Sequence, residues 1–151
     1  VDIAAHTMTV RRNGEVVRKV PITTGKPGWD TRNGIKVIIS KDREVVMDAA
    51  TIDVDENDPE YYRLDVEYAM RITWSGEYLH AAPWSESSQG EENVSHGCTG
   101  MSTRDAAWFY DLTTPGDVVE YVNGVRSLEP WNGWTDWNIP WNQWRAGSAL
   151  R

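Results

Sequence analysis

The 151-residue chain predicts a mainly β domain with one substantial helix. Three observations lead there. Short runs rich in Val, Ile, Thr and Tyr recur through the first half and again after residue 116, each bounded by turn-forming residues. One segment, TRDAAWFYDL, has helical spacing instead. No apolar run reaches the roughly 18 residues of a membrane span. The length suits a single domain large enough to bury a sizeable core.

The elements follow in order. TMTVRR and EVVRKVPI flank Asn13-Gly14, a pair suited to a type I′ hairpin turn because that turn needs positive φ at both central residues. A polar loop, TTGKPGWDTRNG, comes next. GIKVIIS and REVVMDA predict two further strands turning at Lys41-Asp42. Residues 51–62, TIDVDENDPEYY, predict an acidic connection. The phase of Asp53, Asp55 and Asn57 resembles a calcium loop. Asp58, however, stands where the sharp turn needs glycine, and Leu64 where a bidentate carboxylate is needed, so a solvated loop is expected. EYAMRITWSGEYLHAA returns to strand character with a turn at Ser75-Gly76, and APWSESSQGEENVSHG reads as a loop. Ser102 is a candidate N-cap for the helix, with Asp105 as its capping-box partner, and Pro115-Gly116-Asp117 ends it. DVVEYVNG predicts a last strand. In the tail, Trp131, Trp134, Trp137, Trp141 and Trp144 recur every three or four residues, and Pro140 rules out one uninterrupted helix. The tail is read as part of the same domain.

Composition narrows function. A formal net charge of -8 argues against a nucleic-acid partner, because phosphate binding wants a basic face. The opening VDIAAHTMTV has neither the basic start nor the apolar core of a signal peptide, which fits a cytosolic protein or a mature or trimmed fragment. Cys98 is the only cysteine, so it forms no internal disulfide, and a free thiol is either buried and inert or placed to react.

Its setting, NVSHGCTGMS, points towards reactivity. A nucleophilic thiol needs a base or cation to become thiolate, and donors to hold an oxyanion. There are three histidines. His6 is set aside as part of a frayed terminus. His96 is two residues from the thiol in sequence, too near to aim its ring easily, and is expected to shape the turn and lower the thiol pKa. His80, ending a separate strand, is the candidate base. Gly97 and Gly100 would let the backbone bend and a substrate approach. A helix starting directly after the cysteine would turn its positive end towards the sulfur. A metal held by His80, His96 and Cys98 has no recognisable zinc spacing and no fourth ligand, so no metal is expected.

HAAPWS followed by SHGC, with the spacing from His80 to Cys98, resembles the signature of the L,D-transpeptidases, enzymes that cross-link bacterial peptidoglycan. The likeness is to the actinobacterial branch and spans the MTVRRNGEVV hairpin, VVMD, AAWFYDL, GDVVEYVN and the tail DWNIPWNQWRAG. It implies a β-sandwich catalytic domain over 1–125 and a C-terminal extension over 126–151 packed on it. Packing is then the expected job of the tryptophans, with a glycan-stacking platform as the alternative.

The resemblance also implies roles. Cys98 would attack the carbonyl between the third residue of a tetrapeptide stem, a diamino acid, and its terminal D-alanine. His80 would be base and then acid, oriented by the carbonyl of Ala81. The N–H groups of Gly97 and Cys98, with the Tyr62 hydroxyl, would hold the oxyanion. His96 and Ser95 would hold the loop. Met47, Trp84, Ser75 and Gly100 would meet substrate, and residues 51–62 would form a lid. An amine of a second stem would then form a 3→3 cross-link without any cofactor. Carbapenems would acylate the same thiol, as they do in the family. Such a protein would work outside the cytoplasmic membrane, anchored through an N-terminal part that is missing here. Two positions depart from the family: Gly100 replaces a usual asparagine, and Ile52 an aromatic of the lid. Gly100→Asn is accordingly expected to raise turnover. A stem hydrolase with the same thiol, or a wall-binding module built on the tryptophans, are the competing readings.

Overall fold

Nine strands and two helices organise the chain in a computed structural model that describes residues 1–149. The strands are β1 (Thr7–Arg12), β2 (Glu15–Pro21), β3 (Arg32–Val37), β4 (Ser40–Asp48), β5 (Arg63–Arg71), β6 (Tyr78–Ala81), β7 (Thr99–Met101), β8 (Val118–Tyr121) and β9 (Arg126–Ser127). The helices are α1 (Thr103–Leu112) and α2 (Trp141–Ala146). They form a β1-β2 hairpin, a sheet ordered β8-β3-β9, and a sheet ordered β4-β5-β6-β7.

The hairpin turns where expected. Asn13 and Gly14 have φ of 52° and 83°, the left-handed pair that a type I′ turn demands. Met8 and Val10 on one strand, with Val20 and Ile22 at the end of the other, enter a core that also takes Met70, Leu79, Met101, Phe109 and Tyr121. In α1, Ser102 Oγ accepts the Asp105 N–H at 3.1 Å and donates to its carboxylate at 2.9 Å, a reciprocal cap. Ala106 and Phe109 face inward, three residues apart, so one stripe of the helix closes the core.

Several expectations are corrected. Lys41-Asp42 is no turn: both residues lie inside β4. The chain instead changes sheets at Ile38-Ile39, where Ile38 N–H bonds to the Asp117 carbonyl and Ile39 N–H to that of Arg71. Lys41 extends to the Tyr110 and Thr113 carbonyls, satisfying the end of α1. The segment before β1 is not frayed. Ile3 is buried, its N–H bonds to Val122 O at 3.0 Å, and His6 Nδ1 lies 3.0 Å from Asn93 Oδ1. The loop after β6 contains a 3-10 segment, Pro83–Ser88. The helix does not start directly after the cysteine, because β7 intervenes.

The tail is anchored mainly by polar groups, with one aromatic contact, Trp134 edge-on to Trp74 at 6.4 Å between ring centroids. β9 runs parallel to β3, and Asn138 clasps that strand through Ile35 N–H at 2.7 Å and Ile35 C=O at 2.7 Å. Buried Asn132 accepts the Ser75 N–H at 2.9 Å and donates to Glu129 at 2.9 Å. Arg32 Nε meets Glu129 at 2.6 Å. Glu129 loses some hydration, yet its bonds to Asn132, Arg32 and Arg126 hold its carboxyl down at about 2. Trp131, Trp134, Trp137, Trp141 and Trp144 are 44–69% exposed, so the expected burial of the five does not hold, and among the described residues Trp134 alone of them is seen against another ring of the domain. A 3-10 turn at Asp136–Asn138 and the short α2 on either side of Pro140 leave no single face long enough to bury all five. The last two positions of the extension lie outside the described residues.

Candidate active site

β6 and β7 are parallel neighbours with His80 opposite Gly100 and Leu79 opposite Thr99. Parallel strands need a long crossover, so the loop between His80 and Cys98 is what brings them to adjacent strands. Cys98 sits just before β7. It shares a cavity of about 190 Å³ with Met47, Tyr62, His80, Trp84 and His96. Ser95 and Gly100 line it too. A second cavity of about 200 Å³, bounded by Ile3, Pro27, Asp30 and Asn93, holds neither thiol nor imidazole.

His80 is buried, and its Nδ1 lies 2.7 Å from the Ala81 carbonyl. A carbonyl only accepts, so Nδ1 carries the hydrogen, and Nε2 of the neutral ring is left as an acceptor. Burial lowers the His80 pKa below its ordinary value; the Ala81 bond opposes this without cancelling it. Trp84 stacks on the ring at 5.9 Å between centroids.

The sulfur is held by backbone. Sγ donates to the Gly76 carbonyl at 3.6 Å. Burial pushes the thiol up to about 12; the Tyr78 N–H pulls the other way. This reverses the expected lowering. The reason is twofold. The N-terminus of α1 is displaced by the length of β7, about 10 Å at 3.3 Å per residue, whereas a helix-end field fades within a turn. His96 is also engaged elsewhere: its Nε2 lies 2.8 Å from Glu60, and its ring is flanked by Trp29 and Tyr62. The resting site therefore pairs a neutral thiol with a neutral imidazole.

Tyr62, raised to about 12 chiefly by burial, keeps its proton and can donate. Ser95 Oγ accepts the Gly97 N–H at 3.1 Å and donates to the Cys98 carbonyl at 2.7 Å. The Gly97 N–H, expected to be free for an oxyanion, is thus engaged by Ser95. Gly97 has φ of +122°, a conformation that favours glycine. Ser75 is not part of the cavity lining: its hydroxyl accepts from Asn132 at 2.9 Å, which ties it to the tail.

Gly100 is not a bend either; it lies within β7. A Cβ there would stand 2.9 Å from the Ala82 methyl and 3.0 Å from Thr23 Cγ2. The expectation that asparagine would improve turnover is therefore reversed. Gly100→Asn should destabilise the fold by about 1–3 kcal/mol through overpacking and slow acylation, as thermal melting and adduct formation would record.

Residues 51–62, expected to form a lid, are fastened at Glu60, whose carboxylate also meets Lys26 Nζ at 2.5 Å. Asp55 is occupied with Asn57, whose N–H and amide it accepts at 2.9 Å each. Ile52 approaches Gly76, with Cγ2 3.8 Å from where a Cβ would lie. Among the described residues no group of three acidic, histidine or cysteine side chains converges as a metal site. Sequence reasoning missed Glu60, and also Lys36 and Glu77, a buried ion pair beside the Gly97–Cys98 turn. A lysine inside the apolar run GIKVII was the available signal for the last two.

Comparison with known proteins bears on this site. The L,D-transpeptidase catalytic domain of the YkuD family matches residues 1–120. L,D-transpeptidase 2 of Mycobacterium tuberculosis is 48% identical over 143 residues, 94% of this chain and 35% of the relative. L,D-transpeptidase 1 of the same organism is 52% identical over 120 residues, 80% of this chain and 48% of the relative. The chain thus spans a third to a half of the relatives' length. The structure of the LD transpeptidase LdtMt1 in complex with imipenem superposes with a TM-score of 0.79 at 51% identity, covering 80% of this chain and 56% of that one. L,D-transpeptidase 3 from Mycobacterium tuberculosis in complex with a faropenem-derived adduct gives 0.77 at 38% identity, covering 81% and 58%.

Proposed function

This chain belongs to the L,D-transpeptidase family, and on that premise we propose that Cys98 acylates itself on a peptidoglycan tetrapeptide stem and passes the acyl group to an amine. His80 Nε2 takes the thiol proton as Sγ attacks the carbonyl before the terminal D-alanine. The oxyanion is met by the Cys98 N–H and the Tyr62 hydroxyl. The carbon–nitrogen bond breaks, His80 returns the proton to the leaving nitrogen, and D-alanine departs. The side-chain amine of a second stem then attacks the thioester and gives up a proton to His80, which protonates the departing sulfur. The product is a 3→3 cross-link.

One observation supports this reading most: Cys98 and His80 share one cavity, with His80 Nδ1 committed to Ala81 and Nε2 left as acceptor. No step needs a metal or organic cofactor. Met47, Trp84 and Gly100 contact the donor stem, and Ser95 and His96 hold the loop that carries the thiol. Carbapenems occupy the same thiol, in keeping with the imipenem and faropenem-derived complexes of the relatives. The substrate places the working domain outside the cytoplasmic membrane, with 1–125 as catalytic unit, 126–151 as its extension, and an anchor supplied by an N-terminal segment. None of the described helices is long and apolar enough to cross a membrane.

The test is product analysis with a tetrapeptide donor and a diamino-acid acceptor. Cross-linked dimer together with free D-alanine is expected. Free tripeptide and D-alanine without dimer would assign the same thiol to hydrolysis, and wall binding without any product would leave a binding module.

A further inference from the structure

Beside Cys98, outside the lining of the cavity, lies a buried cluster of charges. The Lys36 side chain is fully buried, and its Nζ meets Glu77 Oε2 at 2.5 Å. Glu77 Oε1 accepts from Arg32 NH1 at 2.9 Å and from the Arg32 backbone N–H at 3.1 Å. Lys36 Nζ also sits 3.8 Å from the centre of the Tyr121 ring, whose hydroxyl is 2.7 Å from Thr99 Oγ1. The cluster therefore flanks the thiol in both chain directions. Tyr121 bonds to Thr99, the residue after it, and Glu77 Cγ lies 3.7 Å from the position a Cβ on Gly97 would take.

Glu77 stands between the two residues that hold the sulfur. Gly76 supplies the carbonyl acceptor and Tyr78 the N–H donor. Its own backbone is pinned as well: its N–H bonds to Thr73 Oγ1 at 2.8 Å, and its carbonyl accepts from Ile72 at 3.0 Å. A buried ion pair rarely gains stability over well-packed apolar residues. Its position, clamping the Gly76–Tyr78 backbone, argues for a task at the sulfur.

We infer that Glu77, clamped by Lys36 and Arg32, is a positioning residue for Cys98, and that its carboxylate and the Lys36 ammonium set the sulfur's reactivity in opposite directions. The inference rests on the reading of Cys98 as nucleophile. Lys36 favours the thiolate and Glu77 opposes it. The other titratable groups around the sulfur are His80 and Tyr78 from β6, Tyr62 ahead of β5, His96 from the loop before β7, and Tyr121 from β8. None of them changes charge sign in the variants below.

The experiment is alkylation of Cys98 by iodoacetamide across the pH range, followed by intact mass, with melting curves alongside. It needs no peptidoglycan substrate, so it can succeed even where stem transfer fails. Glu77→Gln is expected to alkylate about tenfold faster than the parent at mildly alkaline pH, and Lys36→Met about tenfold slower, each reflecting about one pKa unit at the sulfur. Should Lys36→Met not fold, Lys36→Gln loses the charge, keeps a donor towards Glu77, and carries the same expectation. A cluster that only held the fold would move both variants in the same direction. A parallel change in either direction, or unchanged alkylation in folded variants, would overturn the inference.

Discussion

Substitution of His80 by glutamine is expected to lower acyl transfer by about 10²–10⁴-fold, the usual worth of a general base, while the protein still folds. The resting thiol is held up at about 12 by burial, so almost none of it is ionised at neutral pH without help. Some group must take the proton as the sulfur attacks. His80 is placed to do so, because its Nδ1 is bound to the Ala81 carbonyl and its ring is neutral. The pH profile carries the sign. Burial depresses the His80 pKa, so the acid limb of the parent should fall below the ordinary histidine value of about 6.5. In His80→Gln that limb should vanish, and the residual rate should climb steadily with pH as hydroxide takes over the proton. An unchanged acid limb in the variant would assign the base elsewhere.

Lys36→Ala should be the most damaging single change away from the cavity wall, costing about 3–5 kcal/mol of folding stability. It leaves the Glu77 carboxylate buried, with Arg32 as its remaining cation. Replacing both partners, as Lys36→Met with Glu77→Leu, should recover most of that loss, since neither a charge nor a cavity is left behind. Arg32 keeps Glu129 in the double variant. Denaturant unfolding checks both statements. A double variant no more stable than Lys36→Ala would show that shape at this position matters more than charge.

Much of this arrangement was legible in the chain because local chemistry dictated it. Asn13-Gly14 could only be a tight turn of left-handed residues, and Ser102 with Asp105 announced the start of α1. The spacing of His80 and Cys98 singled out the residues that share the cavity. What escaped was settled by distant contacts. The passage from β3 to β4 occurs at Ile38-Ile39, two residues with no turn signal, because partners from residues 71 and 117 receive their N–H groups. Lys41 read as a turn residue because it is polar, yet it caps a helix distant in sequence. His96 looked like a neighbour of the thiol and proved to be fastened to Glu60. The tryptophans suggested a buried seam, whereas Asn132 and Asn138 are the groups that hold the tail, with Trp134 meeting Trp74 at its edge. Periodicity reports which residues share a face but not whether that face meets the core.

The central claim is that Cys98 carries the acyl group. The most direct measurement is the intact mass of the protein during turnover of a tetrapeptide donor, beside Cys98→Ala. The account predicts that the parent gains the mass of the tripeptide acyl group, that the gain maps to Cys98 and disappears when an acceptor amine is added, and that the variant gains nothing. An equal adduct on Cys98→Ala, or D-alanine release by that variant at the parent's rate, would contradict it.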